Sequence, residues 1–282
     1  MDLEYVEARR TAIDERLASV VETVEPAELA DWTGEAALAG GKRVRPTLTL
    51  LVSEGARGDE ERALDFAVGI ELVPTASLVV DDIIDRSEVR RGTPSTWAAH
   101  GHGPALATSD GLIGEAFALF SADPRATEVV AEAMVDLGEG EATELVARPA
   151  TVEEYMGLAR RKTGALFRAA AQLGAVAADA DPETVETAGE YAECVGVAFQ
   201  LRDDVLDATA DAGDLGKPTG QDAAMDRPSI LQVTEKTPEE VTALAREQSD
   251  RARDALDRLD LADGEARGHL EELATFVVER ER

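Results

Sequence analysis

The chain has 282 residues, with 28 lysines and arginines against 58 aspartates and glutamates, and a formal net charge of −30. That balance excludes a nucleic-acid binder, which needs a basic face to displace counterions, and it opposes attachment to anionic lipid. Hydrophobic residues at 44% are too many for a disordered chain, and aromatics at 4% leave Ala, Leu and Val to build the core, which favours close-packed helices.

An acidic, solvated shell around an ordinary core is the expectation for a salt-adapted (halophilic) cytoplasmic protein. The N-terminal "MDLEYVEARR" shows no cationic segment followed by an apolar one, so no signal peptide is read there. No apolar run is read as approaching the ~20 residues that cross a bilayer. The single Cys194 lies in an apolar helical stretch and reads as a small buried thiol.

In chain order, apolar residues at three- and four-residue spacing predict a helix over residues 3–24. "GGKRVRP" (40–46) interrupts the pattern. The stretch "ELVPTASLVVDDIIDRSEVRRGTPS" (71–95) then places three aspartates inside an apolar run. After the breaks "GHGP" and "SADP", helical spacing returns over 127–146, 152–177 and 185–210, divided by "ARPAT" and "DADPE". "GDLGKPTG" (213–220) is another break, and "LEELATFVVERER" closes the chain as an amphipathic helix. No segment alternates with period two over strand length. The predicted architecture is all-α, one large helical bundle forming a single domain over 1–282.

Asp-Asp occurs twice, at Asp81-Asp82 and Asp203-Asp204, and a third aspartate follows each pair at the same offset, Asp85 and Asp207. Residues four apart on a helix share a face, so Asp81 projects with Asp85, and Asp203 with Asp207. A buried ionised carboxylate costs several kcal/mol unless it is paired. Two of them ~4 Å apart repel by about 4 kcal/mol at an effective dielectric near 20. Carboxylate clusters without His or Cys suit a hard divalent ion, magnesium above all. Such an ion keeps positions open for phosphate oxygens. The chain has matching cations: Lys42, Arg43 and Arg45, the pair Arg90 and Arg91, then Lys162 and Lys217. Only four basic residues are lysines, and three of them fall in these segments.

In these residues the chain resembles the all-trans polyprenyl diphosphate synthases, which elongate isoprenoid chains. "GGKRVRP", "DDIID" with "RRGTPS", "EEYMGLARRKTGALF", "FQLRDDVLD" and "GDLGKPTGQD" stand in that family's order. The resemblance implies a helical bundle, a homodimer and magnesium. Asp81, Asp82 and Asp85 would face Asp203 and Asp207 across the metal ions. Arg90, Lys162 and Lys217 would hold the diphosphate of the allylic substrate. Lys42, Arg45 and Arg91 would hold that of isopentenyl diphosphate, and Thr163 and Gln200 would line the reacting region. Arg227, in "DRPS", stands where the family usually has a lysine. Other departures are Pro74 and Val80 at histidine positions, Trp97 at a third, and Glu141 in place of a glutamine. Pro74 is expected to disturb its helix. The small pair Ala76 and Ser77, one turn before Asp81, implies a product longer than fifteen carbons, with twenty expected and Phe117 and Phe120 as a deeper floor. Two other readings are a class I terpene cyclase and a non-catalytic partner subunit of a heteromeric synthase.

Overall fold

The computed structural model describes residues 3–146, 149–213 and 229–279. Helical spacing becomes helix almost throughout, as the sequence predicts. The elements are α1 (Leu3–Val21), α2 (Ala27–Ala37), α3 (Val44–Gly55), α4 (Glu60–Ile84), a short hairpin of β1 (Val89–Arg90) and β2 (Thr93–Pro94), α5 (Thr96–His100), α6 (His102–Phe120) and α7 (Pro124–Val146). There follow α8 (Val152–Ala159), a π-helical turn over Arg160–Gly164, α9 (Ala165–Ala177), α10 (Pro182–Gly213), α11 (Ile230–Val233), α12 (Pro238–Asp257) and α13 (Glu265–Glu279). The chain divides into two compact units. One comprises Met1–Glu128 with Leu173–Asp179, and the other Val129–Gln172 with Ala180–Arg282.

In the first unit α4 is the central element, packed against α3 and α6. Asp59 caps its start by accepting from the Arg62 amide at 2.7 Å, and Glu60 and Glu61 complement the positive end of the helix dipole. Pro74 removes one amide donor from the interior, yet the helix runs unbroken from Glu60 to Ile84. The helix stays continuous with Pro74 buried among packed neighbours.

Leu17, Leu48, Phe66, Ile70, Leu112 and Phe120 are fully buried in this unit. Gly69 lets α6 approach: a Cβ there would lie 2.5 Å from the Phe120 ring, whose centroid is 6.2 Å from that of Phe66. Among the described residues, Glu60–Ile84 alone is long and apolar enough to span a membrane, with mean hydropathy 1.7 over its best window. This corrects the expectation that no run comes close. Of that window, 67% is buried inside the protein, the condition of a core helix.

In the second unit the 32-residue α10 packs against α12 and α13. Capping boxes start α8 (Thr151 with Glu154) and α12 (Thr237 with Glu240). The Tyr191 hydroxyl, buried in α10, donates to Leu270 O at 2.8 Å, so its long ring crosses the core without leaving a polar atom unsatisfied.

Two glycines give opposite expectations. A Cβ at Gly174 would stand 2.4 Å from Thr49 O, a backbone atom of α3, whereas nothing lies within 4 Å of one at Gly114 on α6. In urea unfolding, Gly174→Ala should lower stability by about 1–3 kcal/mol through overpacking. Gly114→Ala should raise it by about 0.5–1 kcal/mol through helix propensity.

Candidate active site

The aspartates Asp81 and Asp85 stand one turn apart at the C-terminal end of α4, both partly exposed. Between them Asp82 turns inward and is only 3% exposed. Arg90 meets it with Nε at 3.0 Å and Nη2 at 2.5 Å from Oδ1. A two-residue turn places this arginine. Arg91 (φ 51°) and Gly92 (φ 82°) both take positive φ, which matches the twist of a tight hairpin and pairs Arg90 with Thr93. The base of the hairpin is pinned at Ser87, whose carbonyl accepts from Ser95 Oγ at 2.6 Å and Trp97 Nε1 at 2.9 Å.

Arg91 reaches from the same turn to the carbonyl of Gly40, beside the loop that carries Lys42. Lys42 is exposed. Arg43 is buried and paired with Glu71 of α4, Nη1 to Oε1, at 2.7 Å. Burial alone would lower the Arg43 pKa, but Glu71 and Asp14 hold it above its ordinary value. Burial lowers Arg45 and Arg91, and Glu71 opposes the change in both. Lys42 thus comes from the loop before α3, Arg45 from the first turn of α3 and Arg91 from the hairpin.

In the second unit the other triplet repeats the pattern on α10. Asp203 is partly exposed and Asp207 exposed, whereas Asp204 is 7% exposed. Asp204 accepts from the Tyr155 hydroxyl at 2.5 Å, Gln200 Nε2 at 3.1 Å and the Ile230 amide at 3.0 Å. Burial, then the Asp204 charge, holds the Tyr155 phenol well above its ordinary range. Gln200 also accepts from Thr163 Oγ1 at 2.9 Å, joining α10 to the π-helical turn. Lys162, on the same turn, is paired with Glu144 and lies 3.4 Å from Glu141. Gly140 permits that approach, since a Cβ there would be 3.1 Å from the Lys162 amide.

Lys217 and Arg227 lie outside the described residues. Ala76 is buried, Ser77 partly exposed, and Phe117 meets Phe120 edge-on at 6.2 Å between centroids. Sequence reasoning did not assign roles to Glu71, Asp204, Tyr155 or Glu144. Glu71 carried a signal, a lone carboxylate in an apolar stretch. Tyr155 carried none.

The donor chemistry fits a hard divalent cation, because the outward aspartates offer carboxylate oxygen alone. Among the described residues no three His, Cys, Asp or Glu side chains are gathered closely enough to hold a metal ion by themselves. Each triplet spends its middle aspartate on the fold and leaves the flanking pair on one helical face.

Comparison with known proteins follows from this geometry. The model of the family described as polyprenyl synthetase matches residues 27–259. A short chain isoprenyl diphosphate synthase of Methanothermobacter thermautotrophicus is 33% identical, the match covering 95% of each chain. A geranylfarnesyl diphosphate synthase of Aeropyrum pernix is 34% identical, over 86% of this chain and 91% of that one. The crystal structure of geranylgeranyl pyrophosphate synthetase from Pyrococcus horikoshii superposes with a TM-score of 0.84 at 32% identity, covering 99% and 98% of the two chains.

The two kinds of aspartate separate by stability. Asp204→Ala strands three donors and should cost about 2–4 kcal/mol in metal-free urea unfolding. Asp207→Ala, on the exposed face, should change stability by less than about 0.5 kcal/mol.

Proposed function

The chain belongs to the polyprenyl synthetase family and is a prenyltransferase, and on that premise we propose that it condenses isopentenyl diphosphate with an allylic diphosphate to give all-trans geranylgeranyl diphosphate, in a magnesium-dependent reaction. The observation that carries this reading is the pattern shared by the two triplets. Asp81 with Asp85, and Asp203 with Asp207, are carboxylate pairs one turn apart, each beside an aspartate consumed by internal hydrogen bonds. Those pairs would hold magnesium. When bound, the metal neutralises negative charge on diphosphate oxygens and so favours departure of the leaving group.

The chain's own residues account for the remainder. Arg90 is anchored by Asp82 and held beside Asp81 and Asp85, so its fork is oriented before substrate arrives. Lys162 and Lys217 add point charges for the same allylic diphosphate, with Arg227 in the following segment. The bond to the leaving diphosphate ionises to an allylic cation, and these cations stabilise the charge that develops on the diphosphate. Lys42, Arg45 and Arg91 bind the diphosphate of isopentenyl diphosphate and hold its double bond in line. Thr163 and Gln200, fixed to each other, line the reacting carbons. The proton lost from the adduct passes to the released diphosphate. No nucleophilic side chain takes part.

Product length is set on α4. Ala76 and Ser77 are small where a bulky side chain would shorten the space for the growing chain. Gly69, seven residues earlier on the same side and about 10 Å along the axis, is closed by Phe120. Phe117 and Phe120 are the floor, which supports twenty carbons. The matched span 27–259 runs through both compact units, which supports one synthase domain. A homodimer is proposed, supported by exposed Leu106 on α6 and Val135 on α7. The net charge of −30 supports work in a salt-rich cytoplasm.

Purified protein, magnesium, labelled isopentenyl diphosphate and a panel of allylic primers test the proposal. The expected product is geranylgeranyl diphosphate, with turnover lost on chelation and reduced about 10²-fold or more in Asp81→Ala. Ala76→Phe should shorten the product to fifteen carbons. Cyclic hydrocarbon would instead identify a cyclase, and turnover only with a second protein would identify a partner subunit.

A further inference from the structure

Arg43 sits between Lys42 and Arg45 in the basic segment, yet its fork is occupied. Nε donates to Asp14 Oδ1 at 2.8 Å, Nη1 to Glu71 Oε1 at 2.7 Å and Nη2 to Ala37 O at 2.8 Å. Its side chain is 2% exposed. Each of the three nitrogens is engaged, so Arg43 is a crosslink rather than a diphosphate contact. It ties α1, the end of α2 and α4 to the first residue before α3, where it takes a left-handed φ of 51°.

The other side of the loop is also held. Arg91 donates to Gly40 O, and its guanidinium covers Gly41, where a Cβ would come within 3.3 Å of both terminal nitrogens. The hairpin is therefore seated on the loop that Arg43 anchors. Glu71 lies beneath, 8% exposed, and its charge acts on Arg43, Arg45 and Arg91 alike. This buried carboxylate bonds Arg43 directly, and through Arg43 holds the loop on which Arg91 is seated and which leads into Arg45.

We propose that Glu71, locked by Arg43, is a positioning residue for the isopentenyl diphosphate subsite, setting where Arg45 and Arg91 stand. The inference rests on the reading that Arg45 and Arg91 bind that diphosphate. Glu71 touches no substrate and acts through its arginines. Arg90 has its own anchor in Asp82, so the allylic side should feel a change at Glu71 less than Arg45 and Arg91 do.

Steady-state kinetics with each substrate varied separately test this, using folded variants checked by circular dichroism. Glu71→Gln and Arg43→Lys should raise KM for isopentenyl diphosphate about tenfold, the scale of one lost charged contact, while KM for the allylic diphosphate stays within about twofold. Glu71→Asp, which keeps the charge on a shorter arm, should fall between them and wild type and decides the matter if Glu71→Gln does not fold. An unchanged KM for isopentenyl diphosphate, or equal effects on both substrates, would overturn the proposal, since a merely structural role favours neither. Arg45→Gln keeps the two ideas apart. If it leaves KM for isopentenyl diphosphate unchanged, the subsite assignment itself fails. If it raises that KM while Glu71→Asp does not, only the positioning role is lost.

Discussion

A carboxylate on a buried helix must find a cation, and α4 carries two, Glu71 and Asp82, inside its apolar run. Each is met by an arginine from a different segment, Arg43 from the loop before α3 and Arg90 from the hairpin. Those two pairs decide where both basic segments lie. Lys42 and Arg45 take their places because Arg43 is held between them. Arg91, at the turn of the hairpin, is held from both sides, by Arg90 tied to Asp82 and by its own bond to Gly40 O on the loop that Arg43 anchors. The cations proposed to meet substrate are thus placed by neighbours whose own charges are spent on the fold.

The same division appears on α10. Asp204 ties Tyr155, Gln200 and the start of α11 together, and the aspartates on either side remain at the helix surface. A triplet of carboxylates is therefore not three equal ligands. Its middle member is a structural acceptor that costs little because its donors are provided, while the flanking pair shares one face by helical periodicity. Lys162 follows a related rule, since Glu141 and Glu144 fix where its ammonium stands.

Much of this was legible beforehand. The all-α class followed from apolar spacing and from a core poor in aromatics. The order of basic and acidic motifs led to the family that the matched span bears out. Pro74 misled, because a rule about helix interiors takes no account of neighbours: α4, packed on α3 and α6, stays whole through it. The apolar length of α4 was underestimated because its few charged residues break the run when read letter by letter, although they are neutralised or turned aside in the fold.

The sequence by itself determined which residues carry charge, how far apart they stand on a helix, and which chemistry a set of carboxylates and cations can perform, because helical periodicity is a property of the local chain. Only the tertiary structure decided which partner each charge takes. Arg43 and Arg45 look alike in "GGKRVRP", as do Asp81 and Asp82 in "DDIID". Arg43 is locked by Asp14, Glu71 and Ala37, and Asp82 by Arg90 beyond a turn. Which partner a buried charge finds depends on packing between elements, and one-dimensional spacing holds no record of it.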